Sequence, residues 1–160
     1  MREDKGVRWE AGNLDPKVKK AIYWAVEREP FARLLGMELV ALDDGYSLVE
    51  MTYRPEAMDN IYQRTHGGAI FALIDEAFET VCQTEGAVVV ALNVSVTYIA
   101  SPEPGARLRA EAREISRTRK TASFDIKVTG PKGEVLASCQ ALGYRTGRPI
   151  PFLEAGSEHI

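Results

Sequence analysis

Apolar positions along the 160-residue chain change their spacing twice, and the changes divide it. In NLDPKVKKAIYWAVEREP, residues 13–30, Val18, Ile22 and Ala25 recur at helical spacing behind a capping Asn13 or Asp15, with Pro16 in the first turn. Pro30 is expected to end that helix. Residues 35–54, LGMELVALDDGYSLVEMTYR, predict two strands turning at Asp44-Gly45, a dipeptide that accepts the positive φ of a tight hairpin. Residues 55–66 show no period and are predicted to be loop. Helical spacing then returns from Gly67 to about Glu85, with Gly86 as the expected stop. Ile70, Ile74, Ala77, Phe78 and Val81 form one stripe, while Ala69, Phe71, Ala72 and Leu73 carry apolar surface most of the way round the first half. A helix with so much apolar surface is wrapped by other structure, which places it at the centre of the fold.

Beyond Gly86 the period becomes two. In LNVSVTYI, Leu92, Val94, Val96 and Tyr98 alternate with Asn93, Ser95 and Thr97, until Pro102, Pro104 and Gly105 break the strand. ARLRAEAREI points Leu108, Ala110 and Ala112 inward, and its alternation slips at Glu114-Ile115, where a β-bulge is expected. TASFDIKVTG sets Ala122, Phe124, Ile126 and Val128 on one face, PKG turns, and EVLASCQALGYR forms the last strand. The segment from Gly147 onward, with Pro149, Pro151 and Gly156, reads as a frayed tail. The predicted order is helix, two strands, a long buried helix, then four strands in a meander. Because strands adjacent in sequence usually pair, the expected architecture is α+β, one antiparallel sheet curled around the central helix. Its free edges invite a second copy, so a homo-oligomer is expected.

Composition narrows the function classes. At 160 residues, 45% hydrophobic and 27% charged, the chain suits one soluble domain with a core of its own. No apolar run approaches the roughly 20 residues needed to span a bilayer, and MREDKGVRWEAG lacks an export signal, so no membrane role and a cytoplasmic location are expected. A net charge of -3 gives no general attraction to nucleic acid. Cys82 and Cys139 stand apart in apolar surroundings and read as reduced core residues. With only His66 and His159 as histidines, no metal site is expected.

The candidate chemistry lies in NIYQRTHGGAIFALIDEAFETVC, residues 60–82. Gly67 and Gly68 open a helix whose first amides lack intrahelical partners and stand at the positive end of the helix dipole, a setting suited to a developing oxyanion. The glycines could equally serve tight helix–sheet packing alone, with His66 as a cap. Asp75 is more telling. On a helical wheel it falls beside Gly68, Phe71, Phe78 and Cys82, where an unpartnered buried carboxylate costs several kcal/mol. Glu76 and Glu79 read as members of a solvated or interfacial flank. His66 and Asp75 are separated by roughly 13 Å of helical rise and about half a turn, so they cannot act on one bond within one chain. If both serve one site, it lies at a two-fold interface.

The segment NIYQRTHGGAIFALIDEAF followed by the strands resembles the hotdog-fold acyl-CoA thioesterases, in particular the PaaI-like type of phenylacetic acid degradation. The resemblance covers residues 33–146, leaving an N-terminal helical extension over 1–32 and a flexible tail over 147–160. It implies a hotdog fold, a dimer or dimer of dimers (a homotetramer), no cofactor, and an acyl-CoA substrate with an aryl or medium-chain acyl group. It further implies that the Gly67 amide polarises the thioester carbonyl, that Asp75 from the neighbouring subunit activates water or attacks directly, and that Asn60 and His66 orient the groups around it. Gly68 would then line the substrate. Several relatives carry a small or hydroxylic residue one turn after the acid where this chain has Glu79, and two buried carboxylates so placed raise each other's pKa.

REISRTRKT places Arg113, Arg117, Arg119 and Lys120 near a turn, and Arg117, Arg119 and Lys120 are candidates to hold the phosphates of coenzyme A. An ordinary solvated hairpin explains them equally well. No phosphate-binding GKS/T loop or serine elbow is present. Two other readings remain open: a hotdog enoyl-CoA hydratase or dehydratase, in which His66 and Asp75 converge across a dimer, and an acyl-CoA sensor without turnover.

Overall fold

The computed structural model describes residues 12–155. The first helix, α1 (Pro16–Val26), begins as predicted: the Asp15 side chain accepts a hydrogen bond from the Lys17 amide at 2.8 Å, and Pro16 occupies the first turn. Pro30 does something other than expected. The helix has already ended at Val26, and Pro30 starts a second short helix, α2 (Pro30–Leu35), which Gly36 closes in the left-handed conformation at φ 68°. A missing N–H disables a residue inside a helix but costs nothing at its first turn.

Strands β1 (Glu38–Asp43) and β2 (Tyr46–Thr52) form the predicted hairpin, with Asp43 opposite Tyr46 and Gly45 at φ 64°. Within the segment read as loop, residues 55–58 form a single helical turn, α3 (Pro55–Met58), again opened by proline. The central helix α4 (Gly67–Cys82) buries Ile70, Leu73, Ile74, Ala77, Phe78 and Val81 against the sheet, chiefly over β2, β4 and β5. Gly86, at φ 77°, turns the chain into β3 (Ala87–Tyr98). Strands β4 (Arg107–Arg117), β5 (Thr121–Thr129) and β6 (Val135–Pro149) follow. The register slips between Glu114 and Ser116, which puts Ile115 in the expected bulge. Leu108, Ala110, Ala112, Ala122, Phe124, Ile126 and Val128 all point into the core.

The six strands lie in the order β1-β2-β4-β5-β6-β3, all antiparallel, and this corrects the predicted meander. Only β4, β5 and β6 meander. Strand β3 pairs with β6 at the far edge, and β4 pairs with β2. Residues 99–106 can reach about 26 Å when extended, whereas three strand spacings come to about 14 Å, so the connection does not force β3 beside β4. The 15-residue β6 is long enough to pair with β5 along one side and β3 along the other.

The tail is also corrected. β6 runs to Pro149, and Ile150, 2% exposed, joins Val18, Ala21, Ile22 and Leu42 in a second apolar cluster that holds α1 against the sheet edge. Phe152 and Leu153 pack against the same cluster, while His159 lies outside the described residues. No described helix is long and apolar enough to cross a membrane.

Gly143 marks the tightest seam. A Cβ placed there would come within 2.5 Å of Val89 Cγ1 and 3.6 Å of Phe78 Cζ. Gly143→Ala should therefore destabilise the protein by about 1–3 kcal/mol through overpacking, with recovery in the double variant Gly143→Ala/Val89→Ala. Urea unfolding midpoints measure both, and an unaltered single variant would show that the seam yields freely.

Candidate active site

His66 is the N-cap of α4: its Nδ1 accepts a hydrogen bond from the Gly68 amide at 2.8 Å. That bond accounts for one of the two predicted tip amides. The other, Gly67 N–H, has no acceptor among the described residues and stands free at the positive end of the helix. Both glycines also have packing reasons. A Cβ at Gly67 would meet the Tyr98 ring at 3.3 Å, and one at Gly68 would press on His66 Nδ1 at 3.0 Å. Tyr98, which the sequence placed only in the alternating apolar set of a strand, donates its hydroxyl to the Gly67 carbonyl at 3.1 Å and stands 54% exposed over the helix tip. Nothing in the period-two pattern marks that role, because it arises from β3 crossing to the tip of α4.

Asn60 shapes the approach to the tip. Its Oδ1 accepts from the amides of Tyr62 at 2.8 Å and Arg64 at 3.2 Å, closing a loop that an Asp59–Thr65 bridge pins at its base. The Tyr53 hydroxyl donates to Asp59, and the His66 amide donates to the Met58 carbonyl at 2.7 Å. The side-chain oxygen of Asn60 is thus committed to the loop, and only its amide nitrogen remains for a ligand. Ile61 and Tyr62 stand exposed at the loop's crest, while Met58 is buried beneath it.

The helix tip opens into a cleft of about 400 Å³ lined by Thr65, Gly67, Ile70, Tyr98 and residues 99–102. Asp75 lies in a different one, of about 370 Å³, with Phe78, Glu79, Cys82, Val89, Pro151 and Phe152. The two share no residue, and eight positions along α4 separate Gly67 from Asp75 by about 12 Å of rise. Within the single chain, therefore, the Gly67 amide and the Asp75 carboxylate do not meet. Pro151 and Phe152 had been assigned to a frayed tail, so their place beside Asp75 was not foreseen.

The three acids of α4 divide differently from expectation. Asp75 opens toward solvent in the single chain, although the protein around it displaces enough water to raise its carboxyl above the usual range. Glu79 is also open, and burial, then Glu29 and Asp75, raise it. Glu76, placed by the sequence on a solvated or interfacial flank, is 3% exposed, and burial followed by the charges of Glu29 and Glu79 pushes its pKa up to about 8. The reason is tertiary: the α1–α2 junction folds over this side of α4 and sets Glu29 against Glu76.

The cationic cluster is only partly available. Arg117 is held by Glu114 at 2.8 Å, by Asp44 at 3.5 Å and by Glu85, which also pairs with Arg145 at 2.6 Å. Such a network engages much of the guanidinium within the chain. Arg119 and Lys120 stand exposed at the β4–β5 turn, with Lys120 near the Tyr144 ring at 5.6 Å. Cys82 and Cys139 are free and buried.

A protein of Archaeoglobus fulgidus that carries an esterase name is 30% identical over 135 residues, covering 84% of this chain and 85% of its own. The thioesterase superfamily model matches residues 62–137, the stretch that holds α4, the tip glycines and Asp75. This chain belongs to the thioesterase superfamily. The acyl-coenzyme A thioesterase PaaI of Escherichia coli is 27% identical over 78% of this chain and 88% of its own length. The structure of the E. coli PaaI protein from the phenylacetic acid degradation operon superposes with a TM-score of 0.81 at 27% identity, covering 86% of this chain and 99% of that one. A Streptococcus mutans protein bound to acetyl CoA gives 0.67 at 26% identity, over 71% of this chain and 91% of that one. Within the thioesterase superfamily the fold is the hotdog, an antiparallel sheet with a central helix, as expected from the motif.

Proposed function

We propose that this chain is a homo-oligomeric thioester hydrolase that cleaves acyl-CoA to the free acid and coenzyme A, with an aryl or medium-chain acyl group. One observation carries the reading: the free Gly67 amide and the Asp75 carboxylate lie on one uncovered face of α4, in separate clefts, and β3 runs beside them as an open sheet edge. Phe71 on that face is 37% exposed, and Val90 and Leu92 on β3 are 45% and 57% exposed, an apolar surface suited to burial against a second copy. Antiparallel joining of two β3 edges about a two-fold axis sets each helix tip toward Asp75 of the partner subunit, so that one contact yields two equivalent sites.

In such a site the thioester carbonyl oxygen accepts from Gly67 N–H, where the charge of the tetrahedral intermediate gathers and the helix dipole favours it. Asp75 of the partner subunit takes a proton from water, or itself attacks the carbonyl carbon. Collapse of the intermediate breaks the carbon–sulfur bond and releases coenzyme A as a thiolate, a good leaving group that takes up a proton from solvent; where Asp75 itself attacks, water then hydrolyses the mixed anhydride to the free acid and restores the carboxylate. The His66 imidazole, with Nδ1 turned to Gly68, holds the tip rather than moving protons, which disfavours a hydratase reading. Arg119 and Lys120 offer charge for the phosphates of coenzyme A, as the relative bound to acetyl CoA and the name PaaI make reasonable.

Subunit mixing tests this directly. Asp75→Asn and Gly67→Pro each remove one half of a site. Because Gly67 N–H goes with the proline substitution, each variant alone should be inactive in a free-thiol assay with an acyl-CoA panel. Re-associated at equal ratio, they should recover about a quarter of the parental sites, since half of the dimers carry one intact pair. No recovery from a mixture shown to exchange subunits would place the complete site within one chain.

A further inference from the structure

We infer, on the basis of the hydrolase reading above, that the Phe152 ring is the stop that limits acyl length: it closes the cleft beside Asp75 against a second cleft beside α1. The Asp75 cleft, of about 370 Å³, is walled by Phe78, Cys82, Val88, Val89 and Ala91. The second, of about 430 Å³, is walled by Ile22, Trp24, Ala25 and Val26. Among the described residues, three side chains border both: Glu79, Gln83 and Phe152. Glu79 lies on α4 and Gln83 caps its end, so both come with the helix. Phe152 is the part of the divide that a distant segment supplies.

That segment is anchored. The Ile150 amide donates to the Gly86 carbonyl at 3.0 Å, the Leu153 amide turns back to the Ile150 carbonyl at 3.3 Å, and Ile150 is sealed among Val18, Ala21 and Ile22. The turn that carries Phe152 is thus tied just beyond the end of α4. Chemistry selects the occupant of the Asp75 cleft. Attack on the carbonyl carbon by Asp75, or by water that it activates, brings both substituents of that carbon close to the acid. On one side is sulfur and the pantetheine arm, whose amides need partners when buried; on the other is the acyl chain. A wall of phenylalanine, valine, alanine and cysteine suits the chain. Asp75, Glu79 and Gln83 follow at one-turn intervals, so about 12 Å of helix runs from the acid to the divide. There a chain meets the ring, flanked by a carboxylate and an amide that offer methylenes no favourable burial. Beyond it the wall is apolar again, with Ile22, Ala25 and Val26. Without the ring, one apolar channel would continue into the other.

Truncation and refilling test the stop. Straight-chain acyl-CoAs from butanoyl to hexadecanoyl are given to the full-length protein, and kcat/KM is read by thiol release. Dissociation constants for the same series are measured by calorimetry on the Asp75→Asn background, where the thioester stays intact. The parental profile should peak at medium length. Phe152→Ala should move the peak to longer chains and raise the preference for dodecanoyl over butanoyl at least about tenfold, in kcat/KM and in affinity, because each newly buried methylene strengthens binding about fourfold. Phe152→Ala/Ala25→Trp, which refills the second cleft, should bring the parental profile back. Phe152→Leu, a gentler truncation, should shift it the same way by less, and serves if the alanine variant fails to fold. An unchanged length profile in the folded Phe152 variants, or a shift that Ala25→Trp leaves in place, overturns the stop. No thiol release by the parent, with affinities that still shift on truncation, removes hydrolysis and keeps the stop. Absence of binding across the whole series removes both.

Discussion

Asp75→Asn is expected to lower acyl-CoA hydrolysis by about a hundredfold to ten-thousandfold while KM changes little. A positioned base contributes a factor of that size, and an amide can neither accept the proton nor attack the carbonyl. The substitution keeps shape, and Asp75 opens toward solvent in the single chain, so folding should survive it. Removing a charge beside Glu79 should, if anything, slightly relieve repulsion. The measurement is free-thiol release across an acyl-CoA panel, with coenzyme A binding followed separately. Glu79→Gln, on the same face one turn on, should leave turnover within about tenfold of the parent. If the two variants exchange roles, Glu79 is the base and the departure at that position is functional; unchanged turnover in both would remove α4's acids from the reaction.

Phe124→Ala is expected to cost about 3–5 kcal/mol, a large part of the 5–15 kcal/mol that holds a domain of this kind together. Phe124 is 1% exposed on β5, and its ring meets the edge of Phe78 on α4 with centroids 5.3 Å apart at 65°. The truncation leaves a cavity where helix and sheet interlock and forfeits the edge-to-face contact. Urea unfolding, with unchanged denaturant dependence, reads the loss. A comparison with Ile115→Ala makes the reading specific: Ile115 sits in the β4 bulge, 59% exposed, and its truncation should stay within about 0.5 kcal/mol. A cost for Phe124→Ala no greater than that would mean the helix–sheet seam repacks.

Much of the fold was legible because it rests on short-range patterns. The slip of alternation at Glu114-Ile115 appears as a bulge, Asp44-Gly45 as a two-residue turn, and Asp15-Pro16 as a helix start. Where a residue admits two local roles, the reading failed. Pro30 opens α2 when it was expected to close a helix, because the same missing N–H suits a first turn and breaks an interior one. The pairing of β3 was not legible, since its own alternation is the same whether β4 or β6 lies beside it.

The site divides in the same way. His66 as cap, the open Gly67 amide and the spacing to Asp75 follow from positions along one helix and could be read from residues 60–82. Glu76 and Asp75 are neighbours at the margins of one apolar stripe. Which of them is buried depends on Glu29 arriving from the α1–α2 junction, more than 40 residues earlier. The commitment of Arg117 likewise needed Asp44 and Glu85, brought together only when the β1–β2 turn meets the end of α4.

By itself, then, the order of residues determined element types, inward faces and the run from helix tip to acid, because periodicity and capping depend on neighbours within a few positions. Only the tertiary structure decided which strand closes the sheet, which carboxylate is sealed, and that Pro151 and Phe152 line the cleft that holds Asp75. Those outcomes depend on distant segments competing for the same surface, and no local pattern records the winner.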